Sequence, residues 1–320
     1  MTNLSGMTFA NKAAGFERPT QLPRDEEEHR RWQAANRAWW EFAPMRYDWR
    51  ETLAESPGSE AYFKEIDRRF LASARTFMPW RKIPFDAIIP FDELRTKDVL
   101  EIGVGHGTHA QLLALHARSF VGIDLTIAAA GMTAKRLRLF GIPGAVTQMD
   151  AECMGFPANS FDYIWSWGVI HQSADTQRVL AEMHRVLRPG GQCAVMIYHR
   201  SWWNYYVFGF LRGVFQGHWF GRGGIHRVSL SGTDGAIARY YKPDEWRAAA
   251  RDLFALDSVE IYGLKSDVVP LPYGRLKQFL MDLCPDALAR FLTRRLHMGS
   301  LLVARMRKRD SAMTTSSSLG

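Results

Sequence analysis

Short apolar runs and longer stretches with helical spacing alternate along the central part of the chain. Runs of four to eight apolar residues are typical of buried strands. Such runs occur before residue 200 at 99–102, 119–123, 145–149, 161–166 and 193–198. Apolar residues at intervals of three and four predict intervening helices that begin near Thr108, Thr126 and Asp175. Strands that alternate with helices in this way predict an α/β fold with a parallel sheet.

The first ninety residues predict a helical cap. Residues 1–23 predict a flexible start, whereas 24–43 and 60–77 have helical spacing with aromatic residues on one face. Since both helices precede the first strand, we expect them to cover an edge of the sheet. The tryptophans of this region are then core residues only. The alternative is that Tyr47 or Trp49, in the connection between the helices, closes over a bound ligand.

After the fifth strand, the pattern predicts two insertions and a closing pair of strands. Residues 200–238 are rich in aromatic residues and glycine, and 265–298 are largely helical with a break at Pro285. The closing strands are predicted at 257–262 and 300–306. The predicted units are a helical cap at 1–90, one domain at 91–306 and a disordered tail at 307–320.

The composition is that of a globular protein. The chain of 320 residues is 47% hydrophobic and 23% charged, and no apolar run approaches the ~20 residues of a membrane span. Its three cysteines lie far apart and its N-terminus lacks a signal-peptide core, so we expect a cytoplasmic protein without a metal site. The net charge of +8 is compatible with an acidic substrate or a membrane surface.

A glycine-rich turn follows the first strand. Gly103, Gly105 and Gly107 stand between this strand and a helix, as in the first half of a Rossmann-type nucleotide site. A dinucleotide favours the spacing G-x-G-x-x-G, but here the third glycine comes one residue early and Thr108 follows it. The carboxylate of Glu101 instead suits the ammonium and sulfonium groups of S-adenosylmethionine.

Acidic residues also end the second and third strands. Asp124 lies about 20 residues after the glycine turn, where an acid binds the ribose hydroxyls in Rossmann-type sites. Asp150 follows the third strand, where its carboxylate is able to accept a hydrogen bond from an adenine amino group. Together with Glu101, these residues predict an adenosine-containing ligand.

From Val99 to Tyr198 the chain resembles a class I S-adenosylmethionine-dependent methyltransferase. It is most similar to the methyltransferase type 11 group around the enzymes of ubiquinone and menaquinone biosynthesis. The matching segments are 99–107, 121–124, 150–152, 156–157, 160–162 and 183–191. Weaker similarity continues to about residue 306.

The resemblance implies a fold, a cofactor and a set of binding residues. The fold would be a Rossmann-like, doubly wound, mostly parallel sheet of seven strands with an antiparallel last strand. The cofactor would be S-adenosyl-L-methionine. The residues that would bind it are Glu101, Gly103, Gly105, Gly107, Asp124, Leu125, Asp150, Ala151 and Trp167.

The aromatic segment 201–224 begins where the fifth strand ends, at the edge where ligands bind in open α/β sheets. It predicts a lid or an apolar substrate wall. Flanking arginines leave a peripheral membrane contact as an alternative, and packing as additional core is another. The residues predicted to contact the methyl acceptor are Tyr47, Tyr198, Trp202, Trp203 and Tyr206.

Methyl transfer depends mainly on the alignment of the acceptor nucleophile with the methyl group. A general base is needed only if the acceptor must lose a proton. His171 and His199 follow strand ends and are the candidate bases. The sequence predicts in-line O- or C-methylation of a small apolar or aromatic molecule, with nucleic acid not expected and the oligomeric state left open. The alternatives are an NAD-type Rossmann oxidoreductase and a non-catalytic protein that binds S-adenosylmethionine.

Overall fold

The computed structural model describes residues 12–47, 52–216, 224–271 and 274–309. The predictions for the first eleven residues, for Trp49, for the end of the aromatic segment and for the tail after residue 309 lie outside the described residues.

A mixed sheet of eight strands forms the centre of the molecule. The strands are β1 Asp98–Ile102, β2 Ser119–Asp124, β3 Ala145–Gln148, β4 Phe161–Trp167, β5 Leu187–His199, β6 Tyr240–Tyr241, β7 Phe254–Tyr262 and β8 Leu301–Lys308. Their order is β3-β2-β1-β4-β5-β8-β7, and β6 pairs with β5 beside this path. Strand β8 runs antiparallel to both of its neighbours, and the other pairings are parallel. The predicted Rossmann-like fold is confirmed, with β6 as an additional short strand.

Helices cover both faces of the sheet. They are α1 Glu26–Phe42, α2 Glu60–Phe77, α3 Phe91–Leu94, α4 Thr108–His116, α5 Ile127–Leu139, α6 Thr176–Val186, α7 Phe208–Gln216, α8 Gly224–Ser231, α9 Pro243–Ala250, α10 Lys265–Val268, α11 Arg275–Leu283 and α12 Asp286–Arg295. A 3₁₀ turn at Ile170–Gln172 and a π-helical turn at Trp202–Val207 complete the described elements. The predicted break at Pro285 separates α11 from α12.

The two sheet faces explain why the central strands are continuously apolar. Val99 and Trp165 belong to one buried cluster, whereas Leu100, Ile102 and Ile164 belong to the cluster on the opposite face. Side chains alternate between the faces of a strand, so a strand that is covered on both faces needs apolar residues at successive positions.

Strand β5 begins earlier than predicted, at Leu187 rather than Cys193. Its pairing with β4 shifts from Phe161–Leu187 to Tyr163–Gln192. The intervening residues 188–191 contain Pro189 and two glycines, and they bulge out of the ladder. The sequence signal for a chain stop therefore marks a bulge within a strand.

Helix α1 lies across the edge formed by the carboxyl ends of the parallel strands, which we call the carboxyl edge. The Glu41 carboxylate accepts hydrogen bonds from the amides of Ile127 and Ala128 at 3.1 and 3.2 Å, at the N-terminus of α5. An anion at a helix N-terminus is favoured by the helix dipole. The contact holds α1 over the same edge at which the glycine turn and the strand-end acids lie.

None of the helices in the described ranges combines the length and apolar composition that a bilayer span requires. In those same ranges, no three histidine, cysteine, aspartate or glutamate side chains are grouped so that they could hold a metal ion.

Candidate active site

Two glycines of the turn differ in the space around them: Gly103 is closely packed and Gly105 is open. Gly103 has φ +80°, and a Cβ there would lie 2.2 Å from Cγ2 of Val169. Gly105 has φ +52°, and no atom of the described residues lies within 4 Å of the position that its Cβ would take. Positive φ favours glycine at both positions. Gly103 therefore permits close packing of the turn, and Gly105 leaves an open approach to the main chain.

An ion pair between a buried arginine and a half-buried aspartate fixes the conformation of this turn. Arg136, which is 1% exposed, donates to the carbonyl of His106 at 3.1 Å and to Oε1 of Gln111 at 2.8 Å. It also pairs with Asp67 of helix α2. The other carboxylate oxygen of Asp67 accepts a hydrogen bond from Oγ1 of Thr108 at 2.7 Å. The turn is thus held in shape by the chain's own contacts, before any ligand binds.

Glu101 lies in β1 just before the turn and is 2% exposed. Among the described residues, its Oε2 atom has no hydrogen-bond partner. Burial raises the pKa of Glu101 well above its usual value, and the nearby charge of Asp124 raises it further, whereas Arg136 opposes the increase. Burial of an unpaired carboxylate is unfavourable. A cationic ligand group at this oxygen would remove that cost.

Asp124 ends β2 and contacts the turn directly. One carboxylate oxygen accepts from the amide of Gly105 at 3.2 Å, and the other accepts from the amide and hydroxyl of Thr126 at 3.0 and 2.8 Å. Burial raises the pKa of Asp124, and these hydrogen bonds oppose the increase. Since the acid helps to shape the turn, its structural role is larger than its position at a strand end suggested.

Asp150 follows β3 and is held from helix α1. Its two carboxylate oxygens accept from Nε2 of Gln33 at 2.9 and 2.8 Å, and one also accepts from the amide of Glu152 at 2.9 Å. Beside it, Nε2 of His29 lies 2.5 Å from Oε2 of Glu152. Gln33 and His29 are not among the site residues predicted from the sequence. Their only signal is that they are polar residues on the helix face that carries Trp32.

The remaining predicted cofactor residues lie at the same edge. The carbonyl of Leu125 accepts from Gln148 at 3.1 Å, and Ala151 is half-buried after β3. Trp167, at the end of β4, stacks on Trp165 with ring centroids 5.3 Å apart. Because β1 to β4 are parallel neighbours, their carboxyl ends bring all nine predicted cofactor residues to one edge.

His171 and Tyr198 come together beside this edge, with ring centroids 4.0 Å apart. His171 is 0% exposed, and neither of its ring nitrogens has a hydrogen-bond partner among the described residues. Burial lowers the pKa of His171 to about 3, and the charge of Arg239 lowers it further. The Arg239 amide donates to the His171 carbonyl at 2.8 Å. His171 is therefore a neutral imidazole with unused hydrogen-bonding capacity.

His199 is not brought together with His171. It follows Tyr198 in β5, so its side chain projects from the opposite face of the sheet. Nδ1 of His199 lies 2.7 Å from the carbonyl of Gly299. Burial lowers its pKa to about 4, and the Gly299 hydrogen bond opposes the decrease. Its observed contact is with the chain that leads into β8.

The residues predicted to contact the acceptor do not all lie together in the structure. The ring of Tyr47 packs against that of Phe70 with centroids 5.0 Å apart, and burial raises the pKa of Tyr47, with Asp67 and Glu101 adding to the increase. Trp202 is instead 51% exposed, and its Nε1 donates to the carbonyl of Leu296 at 2.8 Å.

The inward-facing residue of the π-helical turn is Tyr205, which the sequence analysis did not single out. Its ring lies 5.0 Å from that of Tyr240, and its hydroxyl lies 3.0 Å from Nδ1 of His226. The neighbouring Tyr206 is exposed, and Trp203 is half-buried. A π-helical turn does not follow the 3.6-residue period, so periodicity alone did not separate inward from outward aromatic residues.

Comparison with known proteins agrees with this geometry. A family model described as a methyltransferase domain matches residues 100–195. The chain carries a class I S-adenosylmethionine-dependent methyltransferase domain. The match ends within β5, so the domain model covers the glycine turn, all three strand-end acids and His171 but not the aromatic segment.

Three relatives share this methyltransferase domain. Over 101 residues the chain is 41% identical to a phthiotriol/phenolphthiotriol dimycocerosates methyltransferase of Mycobacterium tuberculosis, covering 31% of this chain and 37% of that protein. It is 34% identical over 101 residues to a fatty-acid O-methyltransferase of Mycolicibacterium smegmatis, covering 31% and 36%. It is 28% identical over 172 residues to a tRNA U34 carboxymethyltransferase of Methylococcus capsulatus, covering 47% and 52%. The chain thus spans about half or less of the length of these relatives.

S-adenosylmethionine is the cofactor of this methyltransferase domain, and the residues present fit it. The unpaired Oε2 of buried Glu101 suits a ligand that carries an ammonium group. The empty space beside Gly105 leaves room for that ligand against the main chain.

Proposed function

We propose that this protein transfers a methyl group from S-adenosylmethionine to an oxygen or carbon atom of an apolar, lipid-like molecule. The observation that carries the proposal is the buried, unpaired carboxyl oxygen of Glu101 directly before an open glycine turn. A nicotinamide dinucleotide has a negatively charged pyrophosphate at this position, which such a carboxylate would repel.

The ends of β1, β2, β3 and β4 would hold the cofactor, with the backbone near Trp167 as the contact from β4. Glu101 would bind the ammonium group, together with the backbone of the glycine turn. Asp124 would bind the ribose hydroxyls, and Asp150 with the amide of Ala151 would bind the adenine. A carboxylate has about four lone-pair sites, so Asp150 is able to accept from a ligand while it keeps its contact with Gln33.

The acceptor would lie against tyrosines that line the next part of the carboxyl edge. Tyr198 lies between His171 and Tyr240, and Tyr205 packs against Tyr240 from the aromatic segment. Burial raises the pKa of each of these three tyrosines, so each stays a neutral phenol at physiological pH. Two of the relatives are named for lipid substrates, which supports an apolar acceptor.

In this proposal, the protein contributes to the reaction by aligning the acceptor with the methyl group and by excluding water from the site. Bound S-adenosylmethionine supplies an electrophilic methyl group. His171 is unprotonated at neutral pH because burial lowers its pKa to about 3, so a ring nitrogen is able to accept a hydrogen bond from an acceptor hydroxyl. Helix α1 covers the carboxyl edge through Gln33 and Glu41, which limits access of water.

Calorimetry and a transfer assay test this function. We expect S-adenosylmethionine and S-adenosylhomocysteine to bind and NAD not to bind. We also expect methyl-labelled cofactor to label a long-chain fatty acid or an alkylphenol that is then extracted into organic solvent. Binding of NAD alone would contradict the proposal. Labelling of tRNA instead would contradict the acceptor class, and binding without transfer to any acceptor would favour a non-catalytic role.

We expect His171→Asn to lower the turnover number by about 10²–10⁴-fold, the usual contribution of a group that handles the acceptor proton. Cofactor affinity should stay within about threefold, since His171 is not among the residues that we propose bind the cofactor. Turnover in the unsubstituted protein should show no inflection near pH 6.5 from this residue, because burial lowers its pKa to about 3.

His199→Asn is the matched control for this prediction, since His199 is also buried and also has a lowered pKa. We expect it to lower the thermal midpoint without a comparable loss of turnover. Equal losses of turnover in the two folded variants would show that His171 acts only through packing.

A further inference from the structure

Helix α11 presents its apolar side to solvent. Leu276, Phe279, Leu280 and Leu283 follow helical spacing on one face, and all four are exposed, with Leu276 at 62% and Phe279 at 59%. Lys277, on the opposite face, is buried and donates to the carbonyl of Ser266 at 3.0 Å. A helix of a globular domain normally buries its apolar side. The buried side of α11 holds Lys277 and Met281, whereas the larger apolar stripe is exposed and does not fill the core.

Exposed apolar side chains are concentrated in the part of the sequence that contains this helix. The structure describes sixteen large hydrophobic residues as exposed, and eleven of them lie between positions 202 and 296. They include Leu288 and Phe291 of α12 and Leu296 just after it. Trp202 joins them, because its indole donates to the Leu296 carbonyl. We call the exposed apolar residues of α11, α12 and this junction the apolar face; they are Trp202, Leu276, Phe279, Leu280, Leu283, Leu288, Phe291 and Leu296.

The charges around the apolar face are positive. Residues 275–296 contain five basic and two acidic side chains. Asp286 forms an ion pair with Lys265 at 2.7 Å, whereas Asp282 accepts a hydrogen bond at 2.8 Å from Gln278, which is neutral, so Asp282 keeps its negative charge. Arg275 and Arg295 are exposed and form no ion pair with any described residue. The net charge beside the apolar side chains is therefore positive, since Arg275 and Arg295 outnumber Asp282.

We propose that the apolar face docks onto an anionic lipid bilayer surface. An interfacial helix combines an apolar stripe, which enters the boundary between head groups and acyl chains, with basic residues that attract anionic head groups. Trp202 has the amphipathic character of residues that are enriched at this boundary. A second copy of the chain is less compatible, since a two-fold interface would place two copies of the same net positive surface against each other. The proposal does not depend on the methyl acceptor.

Vesicle co-sedimentation of the full chain tests the proposal. We expect the protein to sediment with vesicles of phosphatidylcholine mixed with phosphatidylglycerol, and more weakly with phosphatidylcholine alone. Phe279→Ser with Leu283→Ser should lower the partition coefficient by at least about tenfold, since both exposed side chains would otherwise enter the lipid. Arg275→Gln with Arg295→Gln should remove the preference for phosphatidylglycerol and its dependence on salt.

Leu115→Ser with Leu139→Ser is the matched control. These leucines are also exposed, but they lie on α4 and at the end of α5. We expect this variant to bind vesicles as the unsubstituted protein does, and circular dichroism should show that all variants fold. The proposal is overturned if the unsubstituted protein does not sediment with either vesicle, or if the control loses binding equally. It is also overturned if sedimentation velocity shows a dimer that Phe279→Ser with Leu283→Ser dissociates.

Discussion

Replacing Glu101 by glutamine is expected to weaken S-adenosylmethionine binding by about 2–5 kcal/mol, the usual effect of removing one partner of a buried charge pair. Glutamine has the same shape, but it lacks the negative charge that we propose binds the ammonium group. The dissociation constant from calorimetry measures the effect. Since ionised Glu101 would favour the cation, affinity in the unsubstituted protein should increase as pH rises through its raised pKa.

The same variant should change how stability depends on pH. Burial raises the pKa of Glu101 in the folded protein well above the usual 4.5, so the folded state keeps a proton that the unfolded chain has lost. The contribution of Glu101 to the free energy of unfolding therefore decreases as pH rises from about 4.5 to the raised pKa. Glutamine does not titrate, so this decrease should be absent from denaturant curves of ligand-free Glu101→Gln.

Glu60→Gln is the control, because Glu60 begins α2 with its side chain 57% exposed and has only a surface pair with Lys64. We expect neither the affinity nor the pH dependence to change in this variant. Unchanged cofactor affinity in folded Glu101→Gln would show that Glu101 does not bind the ammonium group.

Gly103→Ala is expected to destabilise the fold by about 2–5 kcal/mol. The new Cβ would lie 2.2 Å from Val169, and overpacking of this kind usually costs about 1–3 kcal/mol. The φ of +80° adds about 1–2 kcal/mol for a residue with a Cβ. Urea unfolding measures the loss. Adding Val169→Ala should restore the stability that is lost to the steric clash, whereas the loss caused by the positive φ should remain.

Gly105→Ala is expected to reduce cofactor affinity with only a small loss of stability. No atom that the structure describes lies within 4 Å of its Cβ position, so only the backbone cost of about 1–2 kcal/mol should reduce stability. The added methyl group would occupy the space that we propose for the cofactor, so affinity should fall by about 1–3 kcal/mol. Gly141→Ala is the matched control, because Gly141 also has positive φ, at +65°, and empty surroundings, but lies after α5. Equal affinities in the two variants would contradict the proposed cofactor position.

The sequence by itself determined the α/β fold and the edge at which the site forms. Strands covered on both faces need continuous apolar runs, and those runs identify β1 to β5 without any knowledge of long-range contacts. Parallel strands place their carboxyl ends at one edge, so Glu101, Asp124 and Asp150 are expected together from their positions alone. These features depend on local periodicity and on a topology with few alternatives.

Only the tertiary structure decided what covers that edge and which face of each added helix is buried. Gln33 contacts Asp150 across 117 positions, and Arg136 pairs with Asp67 across 69. Separations of this length leave no local pattern, because such contacts follow from packing between elements rather than from spacing within one. In the same way, periodicity identifies the apolar stripe of α11 but not its direction. The buried contact of Lys277 sets that direction, so the stripe that sequence alone would assign to the core faces solvent.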